Sequence, residues 1–413
     1  MQKLTLWGRL LFGCLLLGLT ANATASDISP ALQQLMRDFI ANHPAALSAR
    51  ADLERAEAEA RAAGQPLYNP EIEFDYEDSA DITKTVGLAQ TFDWNGKRRA
   101  RDTAAQNNIR AARATLSSTR QNMLGELLGE LSQALTTADV TRLAARRVTL
   151  FQEFLLLAEQ RFAAGDVSRT DVDLARLALS EAQMQAAAAS ADATATEARL
   201  SALVEVPPTG WPILPVLPET LSDYEATRLL NRHPALQQLS AEAAAARASV
   251  TIAARDRRPD PTLAVRGGKE ASENLVGVTF SIPLYLRNSF RAELDAANAE
   301  AISAEQRYKN SLRRARSAMQ AAAQRYKVTR SALSYWEQTG LSSLQGRVET
   351  LQSLWKSGEI GTTNYLVQLQ QTLGTRISAV ELQRATWDAW LAWLQASGTT
   401  EQWLGLTTAP ASN

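Results

Sequence analysis

The chain repeats itself once, at an offset of about 190 residues. Asn42-His43-Pro44-Ala45 returns as Arg232-His233-Pro234-Ala235, Asn69-Pro70 as Asp260-Pro261, and Val86-Gly87-Leu88 as Val276-Gly277-Val278. Further on, Arg161-Phe162-Ala163-Ala164-Gly165-Asp166-Val167-Ser168-Arg169-Thr170 is matched by Leu354-Trp355-Lys356-Ser357-Gly358-Glu359-Ile360-Gly361-Thr362-Thr363, with a drift of about three positions. Solenoid units have periods of roughly 20–50 residues. A period this long marks a duplicated supersecondary block, so both halves must supply the same elements.

The blocks can be read element by element. Residues 29–63 read as one helix, stopped at Asn69-Pro70 because a residue before Pro is pushed out of the helical region. The period then changes to two. Ile72, Phe74 and Tyr76 share one face and Glu71, Glu73, Asp75 and Glu77 the other; after a polar turn, Val86, Leu88, Phe92 and Trp94 continue the apolar face. This predicts a β-hairpin over 70–94, and its copy over 261–284 carries Leu263, Val265, Val276, Val278, Phe280, Ile282 and Leu284. After each hairpin comes a long stretch without Pro, 95–164 and 289–357. A helix of 70 residues would be about 100 Å long. Turns at Gly165 and Gly358 lead into return helices, 170–205 and 363–397. Ala111, Ala112, Ala114, Ala186 and Ala187 are small enough for close helix contact.

Residues 207–220, which include Pro207-Pro208, Pro212, Pro215 and Pro218, read as a connection, and 399–413 as a loosely structured tail. The expected divisions are therefore 26–206 and 221–398 for the two repeats. Residues 1–25 read as a secretory signal peptide, with Lys3 and Arg9 ahead of a short apolar run and small residues at Ala21-Asn22-Ala23 and Ala23-Thr24-Ala25. Cys14, the only cysteine, falls inside it and excludes an intrachain disulfide.

Strands of about ten residues have the length that crosses a bilayer at a tilt. Four of them cannot close a barrel, and an open edge in lipid leaves backbone groups unpaired at several kcal/mol each. Two hairpins per chain therefore call for an oligomer, eight strands from two chains or twelve from three. Twelve leave an aqueous lumen more easily. The expected fold is mainly α with a small β part: long antiparallel helical hairpins and β-hairpins, assembled as a trimeric α-barrel joined to a 12-strand outer-membrane β-barrel. The acids Glu71, Glu73, Asp75 and Glu77 would line its lumen and favour cations, or form a solvated strand face.

Little in the sequence points to catalysis, a cofactor or a metal. The formal net charge of −1 gives nucleic-acid binding no electrostatic support. The two histidines, His43 and His233, occupy the same repeat position before Pro, as helix-entry residues. Asp171 and Asp173, two apart on a helix, do not face one another. No nucleophile motif, phosphate loop or zinc spacing appears. A periplasmic coiled-coil scaffold or adaptor is the alternative function, and an exported helical enzyme a third.

With these residues in view, the chain resembles the TolC family of outer-membrane efflux channels. The most specific match is Arg161 to Val172, a basic-aromatic pair, a Gly turn, a small hydroxyl residue and Asp-Val; Leu354 to Tyr365 is a weaker copy. Gln90 to Arg98 is similar to the segment after the second strand in the heavy-metal, CzcC-like branch. The resemblance implies a homotrimer in outer-membrane lipid with a long periplasmic extension. It also implies an inner-membrane pump of the RND type and a periplasmic adaptor (membrane fusion protein) docked on the tips. The tip candidates are Gly165, Asp166, Val167, Ser168, Thr170, Asp171, Gly358, Ile360, Gly361 and Thr363. Two aspartates that often constrict the family's second tip are Asn364 and Val367 here. Asp171, at the matching place in the first tip, remains a lumen or tip candidate.

Overall fold

A computed structural model describes residues 28–204, 208–221, 224–344 and 346–406. The expected signal peptide, Cys14, the boundary at 206–207 and the end of the tail lie outside the described residues.

The helix expected over 29–63 is two helices, α1 (Pro30–Asn42) and α2 (Pro44–Ala63). Pro44 holds His43 extended (φ −70°, ψ 132°), and His43 Nδ1 accepts the Ala45 amide at 3.1 Å. Pro44 then opens α2 where its missing N–H is not needed. The duplicate repeats the joint at His233, between α5 (Ala226–Arg232) and α6 (Pro234–Asp256). Both histidines thus sit at helix entry. Their rings diverge: His233 Nε2 donates to the Gln395 carbonyl at 3.0 Å and ties α6 to a distant helix.

The hairpins are β1 (Glu71–Asp78) with β2 (Ile82–Thr91), and β3 (Thr262–Glu270) with β4 (Glu273–Ser281). They join into one antiparallel sheet in the order β1-β2-β3-β4. Phe92, Trp94, Ile282 and Leu284 lie just past the ends of these strands. Below the sheet runs α3 (Lys97–Ala163), 67 residues long and hence about 100 Å. Its first turn is capped by Asp93, which accepts the amides of Lys97 (2.7 Å) and Arg98 (2.8 Å).

The return helix α4 (Arg169–Leu203) faces α3 with Val172, Ala175, Ala178 and Ala182, all buried. That three-and-four spacing is the stripe an antiparallel partner needs. The two helices also meet further from the tip, where Thr141 Oγ1 donates to the Ala189 carbonyl at 3.0 Å; of the small residues, Ala186 is half-buried and Ala187 exposed, while on α3 Ala114 is buried and Ala111 and Ala112 half-buried.

The second long helix is not continuous. It comprises α7 (Arg291–Tyr335), a π-helical turn (Trp336–Gly340), α8 (Leu341–Leu344) and α9 (Arg347–Lys356). Absence of Pro does not guarantee an unbroken helix. A Cβ at position 340 would fall 2.0 Å from the Trp336 ring, so the widened turn depends on Gly340. Gly346 then takes φ +73° and restarts the chain as α9.

The return helix α10 (Thr362–Ser397) is followed by α11 (Thr400–Trp403). The tail is therefore ordered through residue 406. Leu404 is fully buried, and Trp403 packs edge-on against Trp387 and Trp390 at 6.1 and 5.9 Å. Apolar residues beyond Gly398 had a core to join, which a turn signal does not reveal.

Two cores hold the long hairpins together. The upper one combines α1, α3, α7 and α10, with Leu124, Leu127, Leu128 and Leu131 of α3 fully buried. The Tyr326 hydroxyl, donating to the Pro218 carbonyl, pins the irregular connection over 208–221 across it. The lower core combines the tip ends of α3, α4, α9 and α10.

Candidate functional site: the sheet face and the paired helical tips

The register sorts the strand residues by chemistry. Ile72 pairs with Leu88 and Leu88 with Val265, which pairs with Val278; Phe74 pairs with Val86, and Leu263 with Phe280. With Tyr76 and Val276 these side chains form one face, each between 41% and 80% exposed. Glu71, Glu73, Asp75 and Glu77 project from the opposite face, all exposed. That face also carries Glu270 and Glu273, with Arg266 in the same row as Glu73 and Gly87. Thr85, Ala89 and Ala264 lie buried beneath the longer side chains there, and Thr85 Oγ1 donates to Asp75 at 3.3 Å. Among the described residues, the edges β1 and β4 have no further strand.

At the joint between sheet and helices, Lys97 Nζ lies 3.0 Å from Asp260 Oδ2, with side chains 6% and 3% exposed. Tyr68 donates to Asp260 at 2.8 Å, and Asn95 reaches Pro259 O at 3.0 Å and Asp260 Oδ1 at 3.3 Å. Arg255 donates to the Gly96 carbonyl. These bonds tie the first repeat to the second. Lys97 and Asp260 were not candidates, because their pairing spans the two halves and has no local signature.

The tips end in matching turns. Gly165 takes φ +82° and Gly358 φ +80°. In the first, the Asp166 amide donates to Arg161 O at 2.9 Å; in the second, the Glu359 amide donates to Leu354 O at 2.9 Å. Both are six-to-one closures that need a left-handed residue. Ser168 caps α4: its Oγ accepts the Asp171 amide at 3.2 Å, and Asp171 Oδ2 accepts the Ser168 amide at 2.9 Å and hydroxyl at 2.6 Å. These bonds to Ser168, with one from Thr362, hold the Asp171 carboxyl below its ordinary value against a smaller opposing effect of burial. Asp171 is thus a capping acid. Asp173 bridges Arg169 (3.8 Å) and Arg176 (3.6 Å) instead.

Thr170, suited by position to cap the return helix, lies inside α4 and leaves the cap to Ser168. Gly165, Asp166, Thr170, Gly358, Gly361 and Thr363 are exposed. Val167 and Ile360 are only half-buried at the turns, and Ile360 packs on the lower core. Asn364 and Val367 are exposed on α10.

Two residues outside the candidate set connect the tips. Arg161 Nη1 donates to Trp355 O at 2.8 Å, and its guanidinium lies 5.2 Å from the centre of the Trp355 ring. Thr362, buried, faces Trp355 Nε1 at 3.4 Å. Beneath them Phe154, Trp355 and Tyr365 cluster with centroids 4.6, 4.9 and 5.4 Å apart, and burial pushes the Tyr365 hydroxyl up to about 12. Among the described residues, no group of three or more His, Cys, Asp or Glu could hold a metal, and no helix is long and apolar enough to cross a membrane.

A sheet that exposes an apolar face and free edges, mounted on helical hairpins of this length, is the architecture of a channel protomer whose barrel is shared between chains. Residues 35–204 and 226–399 match the model of the outer membrane efflux protein family, and the chain belongs to that family. The family is one of transport ducts, and the chain is an outer-membrane protein with a long periplasmic helical part.

Among relatives, the chain is 26% identical over 275 residues to the pyoverdine export outer membrane protein OpmQ of Pseudomonas putida, spanning 59% of this chain and 57% of that one. It thus covers little more than half the length of OpmQ. It is 25% identical over 345 residues to the cobalt-zinc-cadmium resistance protein CzcC of Cupriavidus metallidurans, covering 81% and 78% of the two chains. The solved structure of the outer-membrane channel OprN shares the fold, with a TM-score of 0.75 at 18% identity and 90% of each chain covered.

Proposed function

We propose that the chain is the outer-membrane exit duct of a tripartite efflux assembly, conducting cargo passively from an inner-membrane pump to the exterior. The sheet carries the proposal. Among the described residues its apolar face has no partner, and in lipid its free edges need pairing, β4 of one copy to β1 of the next. Three copies give a twelve-strand barrel with an aqueous lumen. The helical hairpins of the three chains then continue the same tube into the periplasm.

In this assembly Glu71, Glu73, Asp75 and Glu77 face the lumen. The tips around Gly165, Asp166, Val167 and Ser168, and around Gly358, Ile360, Gly361 and Thr363, receive a periplasmic adaptor. An RND-type pump supplies the energy. The acidic sheet face and the likeness to CzcC support metal cations as cargo. A periplasmic scaffold would leave the apolar sheet face against water without a reason.

Planar-bilayer recording of the purified protein tests the proposal. Expected are discrete conductance steps with a reversal potential on the cation side, moved towards zero by Glu71→Gln with Glu73→Gln. Absence of conductance, in protein that inserts, would overturn the duct.

A further inference from the structure

The end of the sheet nearest the helices carries two concentrations of side chains that the duct alone does not require. Thr91, Thr262 and Ser281 stand in register at that end. Just beyond them Phe92, Trp94, Ile282, Leu284 and Leu286 are 50%, 73%, 44%, 72% and 86% exposed. This is where a membrane barrel places its interfacial side chains. Immediately past these lie Arg98, Arg99, Arg257, Arg258, Arg287 and Arg291, all exposed.

Cross-links within the joint bring these arginines to one level. Arg255 holds Gly96, Lys97 holds Asp260, Asn95 holds Pro259, and Arg257 Nε donates to Ser289 O at 3.0 Å. Three stretches distant in sequence are thereby drawn together beneath the apolar belt.

Three of the nearby acids are already engaged, while Asp102, Glu293 and Asp295 stand in the first two turns of α3 and α7. Asp93 caps α3, Asp260 pairs with Lys97, and Asp256 lies 3.9 Å from Arg101. Among the described residues, none of the six arginines has a carboxylate within 4.0 Å, whereas Arg101 does. At the far end of the sheet the balance is reversed, with Glu77, Asp78, Asp81, Glu270 and Glu273 around Lys84 and Lys269. A solvated surface would not need such segregation.

We propose that Arg98, Arg99, Arg257, Arg258, Arg287 and Arg291 form a collar that binds the headgroups of anionic phospholipid in the leaflet facing the helices. The proposal rests on the reading that the sheet lies in a membrane. Guanidinium groups recognise phosphate through paired N–H donors, and a row of them beside an apolar belt matches a lipid's phosphate above its acyl chains. Each arginine that reaches the headgroups raises the preference for an anionic lipid about fivefold.

The test uses full-length protein reconstituted in vesicles of phosphatidylethanolamine and phosphatidylglycerol, then extracted gently, with the retained lipid weighed by mass spectrometry. Expected is enrichment of phosphatidylglycerol over the vesicle ratio by well over an order of magnitude. It should fall with rising salt, by an order of magnitude or more in Arg257→Gln/Arg258→Gln, and further when all six are changed. If the sixfold variant does not assemble, the paired variant and the salt series decide. Retained lipid that mirrors the vesicle ratio, or enrichment unchanged in the paired variant, overturns the collar. Failure to insert into these vesicles would overturn the duct itself, whereas conduction without lipid preference overturns the collar alone.

Discussion

Replacing Arg161 with Ala should loosen the second helical tip although Arg161 belongs to the first. Its Nη1 bond to Trp355 O, at 2.8 Å, is charge-assisted and contributes about 1.5–3 kcal/mol. The guanidinium at 5.2 Å from the Trp355 ring adds about 0.5–2 kcal/mol. The pair with Asp166, at 3.9 Å and 59% exposed on the acid's side, adds little. Because one side chain makes all three contacts, they do not add fully, and about 2–4 kcal/mol is the expected local loss. Hydrogen exchange reads this at the Gly358 and Glu359 amides, which donate to Trp355 O (3.1 Å) and Leu354 O (2.9 Å). A loss of 2 kcal/mol speeds exchange about 30-fold. Arg161→Lys keeps the charge without the planar fork and should give an intermediate rate. Unchanged exchange in Arg161→Ala would refute the coupling, and full rescue by Lys would show that charge alone matters.

At the first tip, Gly165→Ala and Gly165→Arg should cost the same stability, about 1–2 kcal/mol, because φ is +82° and nothing lies within 4 Å of a new Cβ. Crosslinking to the adaptor should be lost only with Arg, and Val167→Asp should lose it while assembly persists; normal crosslinking in both would remove the tip from the docking surface. Asp171 titrates below its ordinary 3.8, so its cap is intact above that value and lost as pH falls through the depressed one. Asp171→Asn should therefore flatten the acid limb of α4 unfolding, followed by circular dichroism. At the joint, Asp260→Ala leaves Lys97 buried without a partner and should cost about 3–5 kcal/mol, while Lys97→Met with Asp260→Leu should recover most of it. Equal melting temperatures for the single and double variants would contradict that.

Much of this fold was legible because duplication presents each signal twice. The strand alternation, the Gly turns and the His-Pro entries depend on the local chain, and each lies where the residues place it. The π-helical turn at Trp336–Gly340 was not legible, since it depends on an aromatic ring lying over Gly340. The ordering of Leu404 was hidden for a similar reason: its partners come from helices far away in sequence. Among candidate site residues, Ser168 and Asp171 form a local cap at Ser-x-x-Asp spacing, a role other than the lumen or tip position expected of Asp171. Arg161 stood within the recognised motif, yet its role depends on Trp355 in the other hairpin. The joint at Lys97 and Asp260 likewise exists only once both repeats are folded together.

Pairing between copies of the chain tests the central claim most directly. The free edges are β1 and β4, and Cys14, within the expected signal peptide, is the one natural cysteine. Cysteines placed along β1 at Phe74 or Tyr76 and along β4 at Val276 or Val278 should therefore crosslink only between chains. Oxidation in membranes should produce a covalent ladder that stops at three chains for at least one of these combinations. A ladder that stops at two, runs past three, or fails to form in any combination would contradict a twelve-strand barrel shared by three copies.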